Sequence, residues 1–252
     1  MHRFFVSVIL VVIAITNIAR ANYASPPKQM DWPFDGITGK FDLQTIQRGF
    51  QVYREVCAAC HSIKLLYYRN LKNIGFSENE IKEIAKNYMV KDGPNDQGDM
   101  FERPAAPSDH FVGPYPNEQA ARASNNGAYP PDLSLMIKAR QDGPNYLYSL
   151  LTGYQTPPVD VKVPDGLYYN LYYPSRQIAM PPPLSDNLIT YLDGTKATTE
   201  QMAYDVVNFL QWASEPEMEQ RKLMGLKVIG FLIFFTVISY IAKNKIWSKL
   251  EK

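Results

Sequence analysis

The sequence predicts a mainly α-helical domain with long irregular connections, tethered to a membrane by one helix near the C-terminus. Apolar residues make up 46% of the 252 residues and charged residues 20%, a balance typical of a folded globular protein. The 19 prolines and 14 glycines favour many irregular segments between helices. Apolar residues recur at helical spacing in several segments, and one apolar run is long enough to cross a bilayer.

The N-terminus has the features of a secretory signal. A basic start is followed by the apolar run Phe4–Ile15 and by Ala19-Arg20-Ala21, a small-x-small cleavage site. An uncleaved membrane anchor is the alternative, but this run is short for a bilayer. We therefore expect residues 1–21 to be cleaved and the rest of the chain to be exported.

Three helices are predicted in the first part of the exported domain. Apolar residues at helical intervals predict a helix over Leu43–Cys57. Ser77 and Glu80 form a capping box that opens a second helix, reaching Tyr88. The segment Pro144–Gly153 reads as a short third helix, started by proline and stopped by glycine.

A fourth helix and two irregular segments complete the domain. Thr198 and Gln201 suggest a second capping box, and Pro216 lies just beyond the expected end of the helix that follows. Residues 91–115 are expected to form an acidic loop. Residues 166–174 are rich in aromatic side chains, which favours a short strand pair.

The run Leu223–Ala242 has the length that a helix needs to cross a hydrocarbon core of roughly 30 Å. Its only charge is Lys227, one turn from the start, where a lysine can snorkel to the interface. Basic residues flank the run on both sides, which argues against a buried core helix. The predicted organisation is a signal peptide (1–21), an exported domain (22–220), a membrane anchor (221–242) and a cytoplasmic tail (243–252).

The charge differs sharply between these regions. Residues 22–220 carry 17 Lys and Arg against 24 Asp and Glu, a net charge of −7, whereas residues 221–252 carry +6. An acidic domain favours a cationic protein as partner and argues against nucleic acid. The alternative is that the acidic residues only keep the surface solvated. The sequence also has no phosphate-binding glycine loop and no nucleophile elbow.

Both cysteines of the chain lie in one motif, Cys57-Ala58-Ala59-Cys60-His61. This is the spacing of c-type haem attachment, in which two thiols form thioethers with the haem and the histidine binds iron. The alternatives are less well supported. A redox-active dithiol needs a surrounding βαβ unit, which the sequence does not predict, and a structural zinc needs at least one more ligand than the motif supplies. A disulfide between cysteines separated by two residues would be strained. The motif predicts one haem c, bound through Cys57 and Cys60, with His61 as an iron ligand.

The sixth iron ligand has several candidates, and an open position is a further possibility. Met180 is favoured because Pro181-Pro182-Pro183 follows it, and such a rigid segment loses little entropy when the thioether binds iron. Met202 has the helical spacing of a core residue. The remaining candidates are His110, Met89, Met100 and Met136.

Several further segments, in order along the chain, resemble the cytochrome c1 family between about Trp32 and Trp247. They are Arg48-Gly49-Phe50-Gln51-Val52-Tyr53, Asp92-Gly93-Pro94-Asn95, Ala121-Arg122-Ala123, Asn125-Asn126-Gly127, Pro130-Pro131-Asp132-Leu133-Ser134, Ser149-Leu150-Leu151-Thr152-Gly153-Tyr154, Ile178-Ala179-Met180-Pro181 and Phe209-Leu210-Gln211-Trp212-Ala213-Ser214-Glu215-Pro216. The resemblance implies a c-type cytochrome domain with long loop insertions, the haem subunit of ubiquinol–cytochrome c reductase (the cytochrome bc1 complex), with a bacterial-type leader.

The resemblance also implies roles for individual residues. It makes Cys57 and Cys60 the thioether anchors, and His61 and Met180 the axial ligands. It places Arg140 and Tyr146 at the haem propionates. The haem crevice would be lined by Asn125, Pro130 and Pro131.

The same resemblance implies a bacterial inner-membrane protein with its haem domain in the periplasm. Its electrons would come from a Rieske iron–sulfur protein and pass to a cytochrome c, beside a cytochrome b subunit and membrane lipid. With both axial positions filled, the chain would transform no substrate of its own. The alternative function is another membrane-anchored monohaem cytochrome, such as the electron-entry subunit of an oxidase.

Overall fold

The computed structural model describes residues 25–248 and confirms a mainly α-helical fold with little sheet. The predicted signal peptide and the last residues of the predicted tail lie outside this range. The helices are α1 (Leu43–Glu55), α2 (Glu78–Lys86), α3 (Glu118–Ser124), α4 (Gly143–Leu151), α5 (Thr199–Ser214) and α6 (Met218–Trp247). The strands are β1 (Met89–Asp92), β2 (Phe101–Pro104), β3 (Tyr168–Tyr169) and β4 (Gln177–Ile178). Two 3₁₀ turns cover Cys57–Ala59 and Tyr68–Ile74.

Helix α1 leads into the Cys-x-x-Cys-His motif but ends before it. Asp42 caps the helix, because its carboxylate accepts a hydrogen bond from the Gln44 amide at 3.1 Å. The helix ends at Glu55, so the predicted end at Cys57 is two residues too late. Both motif cysteines therefore lie at a tighter 3₁₀ turn rather than on the helix.

The domain core is centred on the crossing of α1 and α5. Gly49 allows close approach, because a Cβ there would lie 2.0 Å from the Asp205 carbonyl oxygen. Phe209 packs against Phe50 and Tyr53, with ring centroids 5.6 and 5.5 Å apart. Since the motif directly follows α1, this crossing fixes the position of the segment that enters the motif.

The two predicted capping boxes differ in the structure. At α2 the box is complete, because Ser77 accepts from the Glu80 amide and the Glu80 carboxylate accepts from the Ser77 amide at 2.8 Å. At α5, Thr198 accepts from the Gln201 amide, but the Gln201 side chain donates to Asp205 at 3.0 Å. The second box is thus only half formed, because the Gln201 side chain is hydrogen-bonded to the buried carboxylate of Asp205 and not to the backbone of Thr198.

The acidic segment predicted as a loop contains a hairpin. Strands β1 and β2 pair antiparallel, with Met89 opposite Pro104 and Asp92 opposite Phe101. Arg103 ties the hairpin together through Asp92 and through Asp109, the latter at 2.6 Å. The loop prediction for residues 91–115 was therefore wrong for residues 91–92, the second half of β1, and for all of β2, although the connection between the strands is irregular.

The aromatic segment supplies one strand of the second sheet. Tyr168 in β3 pairs with Ile178 in β4, so the partner strand lies just beyond the segment predicted to hold both. Helix α4 forms as predicted, with Pro144 in its first turn. Strand β4 ends two residues before Met180, and this placement links the second sheet to the predicted iron ligand.

Helix α6 contains the predicted membrane run. It is the one helix among residues 25–248 that is long and apolar enough to cross a membrane. Its apolar side chains are exposed, for example Phe231 and Ile233 at 63% and 61%. An exposed apolar surface of this length is typical of a helix that lies in lipid rather than in a protein core.

Candidate functional site

The imidazole of His61 is held in one tautomer by the chain. Its Nδ1 lies 2.8 Å from the carbonyl oxygen of Pro131. A carbonyl only accepts, so Nδ1 carries the proton and Nε2 keeps the lone pair that binds a metal. Burial lowers the pKa of His61, with the Pro131 carbonyl acting in the opposite direction. The ring is therefore a neutral imidazole with one nitrogen available to iron.

Asp132 holds this arrangement in place. Its carboxylate accepts hydrogen bonds from the Ser62 hydroxyl at 2.8 Å and from the Lys64 amide at 2.9 Å. The other oxygen accepts from the Ser134 amide at 2.9 Å. Burial would raise the pKa of Asp132, but these hydrogen bonds outweigh burial and hold the pKa below its usual value. The segment after His61 is thus clamped to the segment that carries Pro131.

Cys57 and Cys60 are free thiols, both partly buried. Cys57 packs against the hydrophobic core. Burial raises the pKa of the Cys57 thiol to about 12, and the nearby Cys60 adds to the effect. A thiol that stays neutral at pH 7 is a poor redox nucleophile, which disfavours a catalytic dithiol.

Met180 lies in the loop that follows β4 and is held by its backbone. The hydroxyl of Tyr154 donates to the Met180 carbonyl oxygen at 3.0 Å. The Met180 side chain is partly buried and packs against the core. Because the hydrogen bond uses the backbone, the thioether sulfur remains available to a ligand.

Tyr154, which binds the Met180 backbone, lies near Tyr146. Burial raises the pKa of Tyr154, and the neighbouring Tyr146 raises it further. Tyr146 is itself buried on α4, at 4% exposure. Tyr154 therefore binds the Met180 loop and lies near Tyr146, although the sequence alone assigned it no role. Its signal in the sequence is its place at the end of Ser149-Leu150-Leu151-Thr152-Gly153-Tyr154, one of the segments that carry the family resemblance.

Arg140 lies just before α4, and its side chain is exposed. Its guanidinium donates to the carbonyl oxygen of its neighbour Ala139 at 2.9 Å. Within residues 25–248 it makes no ion pair, so most of its donors remain available to an anion. A haem propionate is an anion of the kind that a guanidinium binds in bidentate fashion.

The three remaining predicted residues lie in the segment after α3. Asn125 caps the end of that helix and donates to the Ala121 carbonyl at 2.7 Å and to the Tyr115 hydroxyl at 3.1 Å. Pro130 is partly buried and Pro131 is exposed. Pro131 is bound to the motif, because its carbonyl oxygen is hydrogen-bonded to His61.

The other candidates for the sixth ligand have different surroundings. His110 is exposed and its ring packs on Tyr67, with centroids 3.8 Å apart. Met89 and Met100 are more than half exposed at the hairpin. Met136 packs against the core, as Met180 does.

These residues fit a covalently attached haem. The two thiols are unpaired, the imidazole presents Nε2, and a guanidinium is available to a propionate. Met180 adds a soft thioether of the kind that binds haem iron opposite histidine. The donor set is the one that a six-coordinate c-type haem requires.

Comparison with known proteins gives a consistent result. The model of the Cytochrome C1 family matches residues 32–250. "Cytochrome c1" of Rhodospirillum rubrum is 48% identical over 257 residues, which cover 95% of this chain and 94% of the relative. "Cytochrome b-c1 complex catalytic subunit, mitochondrial" of Candida albicans is 48% identical over 232 residues, covering 92% and 81%. "Cytochrome b/c1" of Bradyrhizobium diazoefficiens is 46% identical over 253 residues, covering 91% of this chain and 37% of the relative.

Proposed function

The chain belongs to the cytochrome c1 family, and from this premise we propose that it carries electrons from a Rieske iron–sulfur protein to a cytochrome c. Members of this family are haem-containing electron-transfer subunits of the cytochrome bc1 complex. The observation that carries the proposal is the hydrogen bond from His61 Nδ1 to Pro131, because it prepares Nε2 for iron.

The residues that would hold the cofactor divide into three groups. Cys57 and Cys60 would attach one haem c covalently, and His61 and Met180 would bind its iron. When bound, the haem would supply one-electron exchange at iron. With both iron ligands supplied by the chain, no position at iron would be left for a substrate. The chain has no substrate chemistry of its own and serves as a relay within an oxidoreductase complex.

The third group surrounds the cofactor. Arg140 and Tyr146 would bind the propionates and compensate negative charge at the edge of the haem. Asn125, Pro130 and Pro131 would line the crevice. The exposed position of Arg140 supports its role, and Tyr146 lies near Tyr154, whose hydroxyl binds the Met180 backbone.

The proposed topology places the haem domain in the periplasm of a bacterium. Residues 1–21 are removed, residues 22–220 form the periplasmic domain, residues 221–242 cross the inner membrane once, and residues 243–252 form the cytoplasmic tail. The length and exposed apolar surface of α6 support the span. The similarity to a bacterial relative of nearly equal length supports the setting.

The proposed partners are a cytochrome b subunit, the Rieske subunit, a cytochrome c acceptor and membrane lipid. Two relatives carry cytochrome b or the b-c1 complex in their names, which supports a neighbour of that kind. The span would hold the haem domain beside these subunits and so raise their effective concentration.

The relay direction is tested by the order of reduction. In the tagged complex purified in mild detergent, we expect quinol to reduce haem c, and added ferric cytochrome c to reoxidise it. Removing the Rieske subunit should abolish reduction by quinol while ascorbate still reduces haem c. Reduction by quinol without that subunit would contradict the direction. Recovery of oxidase subunits in place of cytochrome b would favour the electron-entry subunit of an oxidase.

Charge is expected to steer the cytochrome c acceptor to the hairpin. Asp96, Asp99 and Glu102 make no ion pair within residues 25–248, so their charge is available to a partner. Asp92 is different, because Arg103 binds it and holds its pKa below the usual value. Neutralising the three unpaired acids as amides should lower the association rate with a basic cytochrome c and flatten its salt dependence.

The matched control neutralises three exposed acids outside the hairpin, Asp160, Asp165 and Glu200. This control changes the net charge by the same amount, so it separates a local docking effect from the overall field. Stopped-flow measurements between low and physiological salt give both slopes. If both triple variants keep the parent's slope, the hairpin is not the docking site.

A further inference from the structure

A short segment of the haem domain is bound to the first turns of the membrane helix. We call residues 34–41 the collar loop. The ammonium group of Lys222 donates to the carbonyl oxygens of Phe34 at 2.6 Å and Gly39 at 3.1 Å. The amide of Phe41 donates to the Glu219 carboxylate at 2.8 Å. Three hydrogen bonds therefore fix the height of this loop relative to α6.

That height is close to the expected membrane surface. The apolar run begins at Leu223, immediately after Lys222. A bilayer has a hydrocarbon core of roughly 30 Å and about 40–45 Å in total, which leaves roughly 5–8 Å of headgroup layer on each side. A lysine side chain reaches about this distance, so the carbonyls bound by Lys222 lie within or just above the headgroup layer.

The collar loop is ordered by the domain on its other side. Trp32 and Phe34 are buried in the core, and the Lys40 amide donates to the Pro33 carbonyl at 2.9 Å. Gly36 has φ +70°, which a residue with a side chain adopts only under strain. The loop is thus a closed turn whose position depends on the core as well as on α6.

Ile37 is the apolar residue at the tip of this turn, and it is 71% exposed. Lys40, three residues further along the loop, is also exposed. An apolar side chain and a lysine on one exposed turn suit the boundary between lipid tails and phosphates, where the apolar group is shielded and the ammonium group meets negative charge. The same pair gains nothing from an exposed position in water.

We propose that the collar loop is a second membrane contact, in which Ile37 enters the headgroup layer and Lys40 lies at the level of the lipid phosphates. The proposal rests on the assignment of α6 as a membrane span. With two contacts, the domain cannot swing freely about the end of α6. The orientation of the haem domain relative to the bilayer is thereby restricted.

The test measures depth with a fluorophore on one introduced cysteine. Cys57 and Cys60 are consumed by the haem in the holoprotein, so Ile37→Cys provides a single free thiol for an NBD label. The full chain is placed in phosphatidylcholine nanodiscs that carry a nitroxide either on the headgroup or deep in the acyl chain. Quenching is expressed as the ratio of emission with and without nitroxide lipid, which removes the constant effect of the haem.

Two controls bracket the result. Ile233→Cys lies in the middle of the apolar run and should be quenched most by the deep nitroxide. Val159 is fully exposed and provides the second control. Its loop lies near the start of α5, the end remote from α6, because Pro157 and Val163 line the same cavity as Thr199. Val159→Cys should not be quenched by either lipid. For Ile37→Cys we expect strong quenching by the headgroup nitroxide, severalfold more than by the deep one.

The outcomes separate this proposal from the one on which it rests. If Ile37→Cys resembles Val159→Cys while Ile233→Cys is deeply quenched, the span is real and the collar loop does not touch lipid. If Ile233→Cys is not quenched, the span itself is wrong. Quenching of Ile37→Cys in the isolated chain that disappears in the assembled complex would assign the loop to a protein contact and overturn the proposal.

Discussion

Replacing Met180 with leucine is expected to abolish the weak far-red absorption band of ferric iron bonded to a thioether. It should also lower the reduction potential by on the order of 0.1–0.3 V, within the roughly 0.8 V over which axial ligands set haem potentials. A thioether stabilises ferrous iron, so its loss favours the ferric state. Leucine has nearly the same volume, and Tyr154 binds the backbone of residue 180, so the loop should keep its place.

The control for this prediction is Met202→Leu. Met202 is fully buried on α5, so the substitution tests whether the loss of any buried methionine disturbs the spectrum. We expect the far-red band and the potential to remain at the parent's values there. Absorption spectra and a redox titration of both variants provide the measurement. If the Met180→Leu protein keeps the parent's spectrum, Met180 is not the sixth iron ligand, and Met136 and His110 are the next candidates.

Local signals in the sequence are enough to predict haem attachment and to propose iron ligands, but they do not predict the architecture of the site. The motif at Cys57 to His61 and the proline frame of Met180 are each contiguous, so the chain itself displays the spacing that the chemistry needs. The contact between His61 and Pro131 joins positions 70 residues apart. No periodicity or cap reports such a contact, because it depends on how the intervening chain folds.

The hairpin shows why some secondary structure escaped prediction. Strands β1 and β2 have four residues each, none of them fully buried, and neither Met-Val-Lys-Asp nor Phe-Glu-Arg-Pro has the alternation of apolar and polar side chains that marks a strand. The hairpin is held instead by Arg103, through Asp92 and Asp109. Such a tertiary ion pair cannot be recognised in the sequence, because it forms only when the chain folds. The 3₁₀ turn at Tyr68–Ile74 was missed for a similar reason, since short turns carry little periodic signal.

The buried ion pair at the α1–α5 crossing was also not anticipated. Arg48 donates to Asp205 through Nε at 3.0 Å and through Nη2 at 3.2 Å. A third hydrogen bond joins Arg48 to Asp193 at 3.0 Å. The Asp205 side chain is fully buried, so its charge depends on the guanidinium for compensation.

Replacing Arg48 with methionine is therefore expected to lower the free energy of unfolding by about 3–5 kcal/mol, because it leaves a buried carboxylate without its cation. In Arg48→Met/Asp205→Leu no buried charge remains at the crossing, since Asp193 is partly exposed to solvent, and most of this loss should be recovered. Arg54→Met is the control on the same helix. Arg54 pairs with Glu55 at the surface, where an ion pair contributes about 0–1 kcal/mol. Denaturant unfolding followed by circular dichroism measures all three.

The pH dependence of the Arg48→Met loss identifies its cause. Burial raises the pKa of Asp205, and Arg48 opposes that rise. Without Arg48 the pKa of the folded state moves further above the unfolded value of about 3.9. A raised carboxyl pKa means that stability is fully present below the unfolded pKa and is lost as pH rises through the folded pKa. The difference between Arg48→Met and the parent should therefore be small in acid and grow towards neutral pH. A loss of the same size at every pH would instead assign the effect to packing of the arginine side chain.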